Sequence, residues 1–301
     1  MDYLYTVAIL ACIYAILSSS FNLILGLTGL FALSHAAFYG IGAYTAALFD
    51  LSLQLPFLVG VAAAMLIAGA CSLLISVPSL RIAGDYLVIA SFGFQFLVYA
   101  VFVNVKSLTK GPAGLPGIHA PEILGMRFDT PQSFLLLAAA MAFLAIAAAA
   151  RISASPFGRI LRGVREDEIA TRALGKDVVR AKILVFTVGS MLAGGAGAVF
   201  AHHSSFISPD MFLLDESIYI LAMVLVGGAG SILGSVLGAL VLVVLPEALR
   251  FLDLPSVLVG QARQMLYAVV LLGFLLYRPQ GLIPEWSRPV ERIFARLGFS
   301  R

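Results

Sequence analysis

The stretch RISASPFGRILRGVREDEIATRALGKDVVRAK, residues 151–182, is the one long part of this chain that must stay in water. It holds eight of the nineteen basic residues, Arg151, Arg159, Arg162, Arg165, Arg172, Lys176, Arg180 and Lys182, and four of the sixteen acidic ones, Glu166, Asp167, Glu168 and Asp177. Long apolar runs flank it on both sides. It therefore reads as an extramembrane loop, and its excess of Lys and Arg assigns it to the cytoplasm by the positive-inside bias. Ser155-Pro156 signals a helix start, and Phe157, Ile160, Leu161 and Val164 follow at helical spacing. A second helix is expected from about Asp167 to Leu174. Glu166, Asp167 and Glu168 put negative charge at its N-terminus, Arg172 lies near its other end, and Gly175 can take the left-handed C-cap. Two turns of helix are marginal alone in water, so this one needs a surface to lean on, in its own bundle or on another protein. The plainer alternative is a solvated loop that only sets orientation.

Everything else follows from what that loop separates. With 301 residues, 61% of them hydrophobic and 12% charged, and a mean hydropathy of +1.01, the chain falls outside the soluble range. The expected fold is an all-α, polytopic transmembrane helical bundle, a single permease-like domain over 1–301. Apolar stretches of the roughly 20 residues a crossing needs lie near 3–25, 30–49, 56–77, 86–104, 132–150, 183–201, 216–229 (short), 230–249 and 257–277, which makes about nine spans. With 151–182 as the cytoplasmic loop, the N-terminus is periplasmic, 105–131 is the longest external loop and 278–301 is a cytoplasmic tail. Fourteen of the Lys and Arg residues then lie inside, among them Arg81, and five outside, Arg250 and Arg263 included, as the bias requires. The opening MDYLYTVAILACIYAILSSS has no basic n-region and reads as a retained first helix. Cys12 and Cys71 sit within apolar runs as small hydrophobes, and no metal site is expected. The net charge of +3 is explained by the loops and does not point to nucleic acid.

Two apolar stretches are unlike lipid-facing anchors. GLTGLFALSHAAFYGIGAYTAA (26–47) carries four glycines around Ser34 and His35, and GGAGSILGSVLGA (227–239) places Gly230, Gly234 and Gly238 at every fourth position. Small residues at that spacing make helix-packing seams, and glycine with polar groups permits a broken helix lining a cavity. One lies early and one late, as an inverted repeat would place them. Polar groups within a span are costly and mark pathways, which makes His35 and Ser34, with Tyr44, Asn22 and Gln95, candidates for a substrate path. The bland alternative for His35 is a neighbouring helix carbonyl. Pro112, Pro116, Pro121 and Pro131 make 105–131 a chain of tight turns. In the short external segment 202–217, His202 and His203 are expected at a wet interface; Asp210, Asp215 and Glu216 are expected as caps of the following helix, with reception of a basic partner as the alternative. No nucleophile, base and orienter converge, so no catalytic residue is expected, and no phosphate-binding glycine loop is present. Arg81 and Asp85 read as interfacial anchors.

Taken together, GLTGLFALSHAAFYGIGAYTAA, the external LTKGPAGLPGI (108–118), SPFGRILRGVREDEIATRALGKDVVRAKILVF (155–186), MVLVGGAGSILGSVLGALVL (223–242) and LLYRPQGLIP (275–284) resemble the permease subunits of bacterial branched-chain amino acid ABC importers over nearly the whole chain. LTKGPAGLPGI is more similar to the M-type subunit than to its H-type partner. Glu168, Ala170 and Gly175 match, in relaxed form, the Glu-Ala-Ala...Gly coupling motif of such permeases. The resemblance implies a multi-pass protein of the bacterial inner membrane, paired with an H-type permease. It also implies two cytoplasmic ATPase subunits and a periplasmic binding protein. Arg165, Glu166, Asp167, Glu168, Ala170, Arg172 and Gly175 would face an ATPase. ATP and Mg would be used by those partners and no cofactor held by this chain. Relatives with these motifs resemble importers of urea, short amides or other amino acids. An ion-coupled secondary transporter is the competing class; it needs embedded titratable groups, and His35 is the one span residue of that kind. A purely structural scaffold leaves the broken, glycine-rich spans without a reason.

Overall fold

A computed structural model describes residues 2–79, 85–123, 125–246, 265, 268–274, 276, 278 and 281–283. The expectations for Arg81, Arg250 and Arg263, and for most of 257–277 and of the tail 278–301, lie outside these residues. The helices are α1 (Asp2–Thr28), α2 (His35–Leu53), α3 (Phe57–Ser79), α4 (Asp85–Asn104), the single turn α5 (Lys106–Thr109), α6 (Pro131–Ala154), α7 (Pro156–Glu166), α8 (Glu168–Ala173), α9 (Val178–Ser204), α10 (Leu214–Gly227) and α11 (Ile232–Val244). Among the described residues α1, α2, α3, α4, α6 and α9 are long and apolar enough to cross a membrane, and the fold is the polytopic helical bundle the composition requires.

Lipid tails are as apolar as leucine, so helices associate here through close packing and internal hydrogen bonds. The central helix is α9, which packs on α1, α2 and α3. Its LAGGAGA run (192–198) allows backbones to touch. A Cβ on Gly42 of α2 would strike the backbone of Gly194, and one on Gly197 would strike the carbonyl of Tyr39. This run was not among the seams expected from the sequence.

Two spans depart from simple helices. The crossing expected to begin at residue 30 begins at His35, because residues 29–34 are not helical. His35 lies against Ser20, eight residues before the end of α1, so α2 starts inside the bundle. The crossings expected near 216–229 and 230–249 are α10 and α11, of 14 and 13 residues. At 1.5 Å per residue each is about 20 Å long, short of the roughly 30 Å of hydrocarbon, and their axes bend by 120° at the break. They form a hairpin. Gly227 and Gly234 face each other across it, a Cβ on Gly234 lying 2.5 Å from the Gly227 carbonyl oxygen, and one on Gly238 would strike the Met223 carbonyl. Gly230 is not on that helix face, since it precedes α11 in the tip turn at φ 92°. The Tyr219 hydroxyl donates to the Leu242 carbonyl at 2.8 Å and ties the open end.

Loop 105–131 and the N-terminal end of α1 share one end of the bundle, where Gln132 donates to the Tyr5 hydroxyl at 3.1 Å. The 151–182 loop lies at the other, where Arg165 reaches the Gly26 carbonyl. The turns expected in 105–131 are fastened down. β1 (Leu115–Pro116) pairs antiparallel with β4 (Phe206–Ile207), Leu115 opposite Ile207, while β2 (Glu122–Ile123) and β3 (Met126–Arg127) form a small ribbon. The backbone N and Nδ1 of His119 both donate to Asp50 Oδ2, at 2.9 and 3.0 Å. His202 is buried, with Nδ1 2.8 Å from the His119 carbonyl, and not at a wet interface.

The hairpin packing has a measurable consequence. Gly234→Leu drives a branched side chain into the Gly227 carbonyl, and overpacking costs about 1–3 kcal/mol or more. A lower melting temperature and a broadened size-exclusion profile of the detergent-purified protein are expected; an unchanged melt would place that face against lipid.

Candidate functional site

The polar groups of the early broken span converge on the start of α2. The first amides of a helix have no partner within it, and here they lie in a low-dielectric bundle where water is scarce. Side chains from other helices supply the partners. Ser217 Oγ of α10 accepts from the amide of Ala36 at 2.9 Å, Gln95 Oε1 of α4 from that of Ala37 at 2.9 Å, and Ser91 Oγ from that of Leu33 at 2.9 Å. Gln95 Nε2 in turn donates to the Phe212 carbonyl at 2.7 Å. His35 Nε2 lies 2.8 Å from Ser20 Oγ, its ring against Phe21. The positive end of α2 is thus already occupied by the protein's own oxygens. Ser34 stands at the N-cap without a capping bond, and Ser34 Oγ and Tyr44 Oη are buried with no hydrogen-bond partner among the described residues. The Tyr44 ring stacks on Phe102, centroids 4.3 Å apart.

Asn22 performs the same service for the hairpin. Its Oδ1 accepts from the Gly230 amide at 2.8 Å and its Nδ2 donates to the Ser231 carbonyl at 2.8 Å. One amide side chain on α1 thereby satisfies both halves of a buried turn. The amides of Leu282 and Ile283 reach the same tip, donating to the carbonyls of Val226 and Gly227 at 2.9 and 3.0 Å. Of the five candidate path residues, Asn22, Gln95 and His35 hold the broken backbone in place, whereas Ser34 and Tyr44 carry unspent polar groups; all five are buried.

At the other end the 151–182 loop forms the two helices expected. Ser155 caps α7 through the Gly158 amide, and Asp167 caps α8, its Oδ1 accepting from the Ala170 amide at 2.9 Å. Gly175 ends the turn at φ 76°, a conformation that costs any side chain with a Cβ. Glu168 is bound within the chain: it pairs with Arg172 at 3.0 Å and with the buried Lys182 of α9 at 2.5 Å. Arg165 Nη1 donates to the Gly26 carbonyl at 2.5 Å, one turn before the break at 29–34. Ile169 and Leu174, by contrast, are 82% and 79% exposed.

The expected capping role of Asp210, Asp215 and Glu216 is corrected by the structure. α10 opens at Leu213 with no side-chain cap, and Asp210 accepts from the Tyr99 hydroxyl at 3.1 Å. Glu216 is half-buried, with its Oε1 closed off from solvent and without a hydrogen-bond partner among the described residues. The next residue, Ser217, reaches the first turn of α2, which starts beside Ser20 of α1, so this acid lies within the bundle, and His35 is not the one ionisable group embedded in it.

Residues 3–277 match the family model described as the branched-chain amino acid transport system permease component. The chain belongs to this family. It is 36% identical over 94% of its length to the high-affinity branched-chain amino acid transport system permease protein LivM of Escherichia coli, 70% of which is covered. The probable branched-chain amino acid transport permease protein LivM of Methanocaldococcus jannaschii is 30% identical over 69% of this chain and 62% of its own. The autoinducer 2 import system permease protein LsrC of Klebsiella pneumoniae is 30% identical over 66% and 56%. No solved structure gives a significant match. Membership in this family makes the chain a multi-pass permease component of an import system, which the broken spans suit.

Several functional contacts escaped the sequence reading. Ser91 and Ser217 are single hydroxyls in apolar runs, and nothing local marks them as caps of a distant helix. The signal for α9 was present in its seven small or branched residues at 192–198. Asn22→Leu, nearly isosteric, removes both partners of the hairpin tip. Each buried group left unsatisfied costs about 1–3 kcal/mol, so a melting temperature lower by several degrees and faster proteolysis near 228–231 are expected. Retention of wild-type stability would mean that another group holds the tip.

Proposed function

We propose that this chain is the M-type half of an ABC importer that moves branched-chain or related small amino acids inward. It would pair with an H-type permease, two ATPase subunits that use ATP and Mg, and a periplasmic binding protein. The observation that carries the reading is the form of the 151–182 loop. A helix of six residues, too short to persist alone, is fixed to α9 through Glu168 and Lys182, and its neighbour α7 is fixed to α1 through Arg165. Ile169 of this helix and Leu174 at its C-cap are left uncovered. Fixed on one side and apolar on the other, it suits a groove of a cytoplasmic ATPase. A push on α8 would reach α9 through Lys182, and a push on α7 would reach α1 beside both broken segments.

The substrate class is supported by the relatives named for branched-chain amino acids, among them LivM and the LivH of Salmonella typhimurium, 26% identical over 93% of this chain. Urea and short amides are the other candidate cargoes. The half-buried Glu216, with one oxygen unpaired among the described residues, favours a second reading, ion-coupled transport, since embedded carboxylates are the usual coupling groups of that class. The reconstituted importer separates the two. Leucine uptake into proteoliposomes should need internal ATP and persist when an ionophore collapses the ion gradients; ionophore-sensitive uptake without ATP would select the second reading.

The orientation and the docking face each have their own measurement. In a protein with Cys12 and Cys71 replaced by Ala, a cysteine at Lys110 should react with an impermeant thiol reagent in intact spheroplasts, and one at Lys176 only after lysis. The opposite pattern inverts the topology. Ile169→Glu with Leu174→Glu puts charge on the exposed helix without touching the Glu168–Lys182 bridge. ATPase subunits should co-purify at least about tenfold less well, on the scale of 1.4 kcal/mol per factor of ten, with the permease pair still intact. Undiminished co-purification and uptake would leave 151–182 as a solvated orientation signal.

A further inference from the structure

Where α2 gives way to α3, the bundle holds a cavity of about 500 Å³, a volume of the order that small-molecule sites have. It lies at the end opposite the 151–182 loop, between residues 50–57 and the 119–127 stretch of the long loop. The mouth is open, since Gln54, Glu122 and Arg127 on its wall are all exposed. The interior is closed by Phe57, 4% exposed, whose ring meets that of the buried His202 edge to face, centroids 5.0 Å apart.

Charges of both signs line this space, and the fold does not use them. Glu122 and Arg127 are directly opposed in the β2–β3 ribbon, so their side chains leave it on one face. Opposite charges so placed ordinarily pair. Among the described residues neither makes an ion pair or a side-chain hydrogen bond. Asp50 commits Oδ2 to the amide and ring of His119, while its Oδ1 has no partner among the described residues. A carbonyl oxygen only accepts, so His202 Nδ1 donates to that of His119, and the neutral ring keeps a lone pair at Nε2.

That set of donors and acceptors selects the ligand. Asp50 Oδ1, the Glu122 carboxylate and His202 Nε2 accept, and a primary ammonium group has three protons to donate. Arg127 offers a planar fork that a carboxylate meets with both oxygens. Leu55, Pro56 and Pro121 supply apolar wall. A simple anion would leave the two acids unmet and a simple cation would leave Arg127 unmet. A metal ion is not suited either, because no three metal-ligating side chains converge among the described residues.

We infer that this cavity is a recognition site for a free α-amino acid with a short aliphatic side chain, its ammonium group held by Asp50, Glu122 and His202 and its carboxylate by Arg127. The inference deepens the amino-acid importer reading and rests on it for the aliphatic chain. In that reading the cavity opens on the side from which cargo arrives.

The test uses the assembled importer in nanodiscs without the binding protein, as wild type, Arg127→Gln, Glu122→Gln and Asp50→Asn. The first two variants change exposed side chains that hold nothing in the fold. Leucine, 3-methylbutylamine and 4-methylpentanoate are titrated by saturation-transfer NMR, the last two keeping the branched chain and one charged end each. Leucine should bind wild type, and each variant at least about tenfold more weakly, on the scale of 1.4 kcal/mol per factor of ten. The amine should lose affinity in Glu122→Gln and Asp50→Asn but not in Arg127→Gln, and the carboxylate the reverse, a crossed pattern that misfolding does not produce. With Cys12 and Cys71 replaced by Ala, leucine should also slow thiol labelling of Gln54→Cys on the cavity wall. Equal leucine binding by wild type and all three variants overturns the site, as does labelling of Gln54→Cys that leucine leaves unchanged. Weaker capture of the cargo-free binding protein by Arg127→Gln, with no leucine binding by wild type, would also overturn it, by making these charges a seat for that protein. If wild type imports leucine and the variants bind it equally well, the site alone fails; if the crossed pattern appears and no leucine is imported, the importer reading fails and the site stands.

Discussion

A backbone amide buried in a membrane must find a partner inside the protein, because lipid offers none. The arrangement of this permease depends on that requirement at two places, where helices stop short in the bundle. The hairpin tip between α10 and α11 turns at Gly228 and Gly230, and the Asn22 side chain satisfies a donor and an acceptor of that turn at once. The start of α2 is satisfied by Ser217 and Gln95 from two other helices. Neither broken segment would be tolerated facing lipid. Each is held because three or more helices surround it, and the glycine and alanine contacts of α9 bring those helices close enough for short side chains to reach.

At 29–34 and 228–231 side-chain braces from other helices take the place of a continuous helical ladder. Arg165 ties the 151–182 loop to α1 at Gly26, between Asn22 and the first break. The two short helices of the loop are therefore in mechanical contact with the part of α1 from which both broken segments are braced. The Glu168–Lys182 bridge gives the same loop a second hold, on the central helix. A Glu or Lys exposed to water would contribute little by such a pair, but Lys182 is buried and Glu168 also keeps Arg172 in place.

The membrane class, the polytopic bundle and the two-helix loop were legible because they rest on local rules: apolar length, the excess of Arg and Lys, Asp167 before a helix, Gly175 after it. The family was legible from five motifs in order. Less visible was the role of the candidate path residues. His35, Asn22 and Gln95 were rightly noticed as polar groups in spans, but whether a polar group in a span meets cargo or backbone depends on what lies opposite, and Gln95 is 117 positions from the Phe212 carbonyl it holds. Glu216 was read as a cap because it lies near a helix start in sequence; only the approach of α1 shows that this start is buried.

The sequence by itself determined that this protein lies in the membrane, which segment stays in water, and where two spans could break, because burying charge and freeing backbone are penalties that each stretch carries wherever it goes. The tertiary structure decided that α10 and α11 turn back as a hairpin, that the α2 N-terminus is closed by side chains from α4 and α10, and that one carboxylate keeps an oxygen unpaired. Those outcomes depend on which helices meet, and in lipid that is settled by shape and by hydrogen bonds between residues far apart in the chain, for which one-dimensional pattern carries no signal.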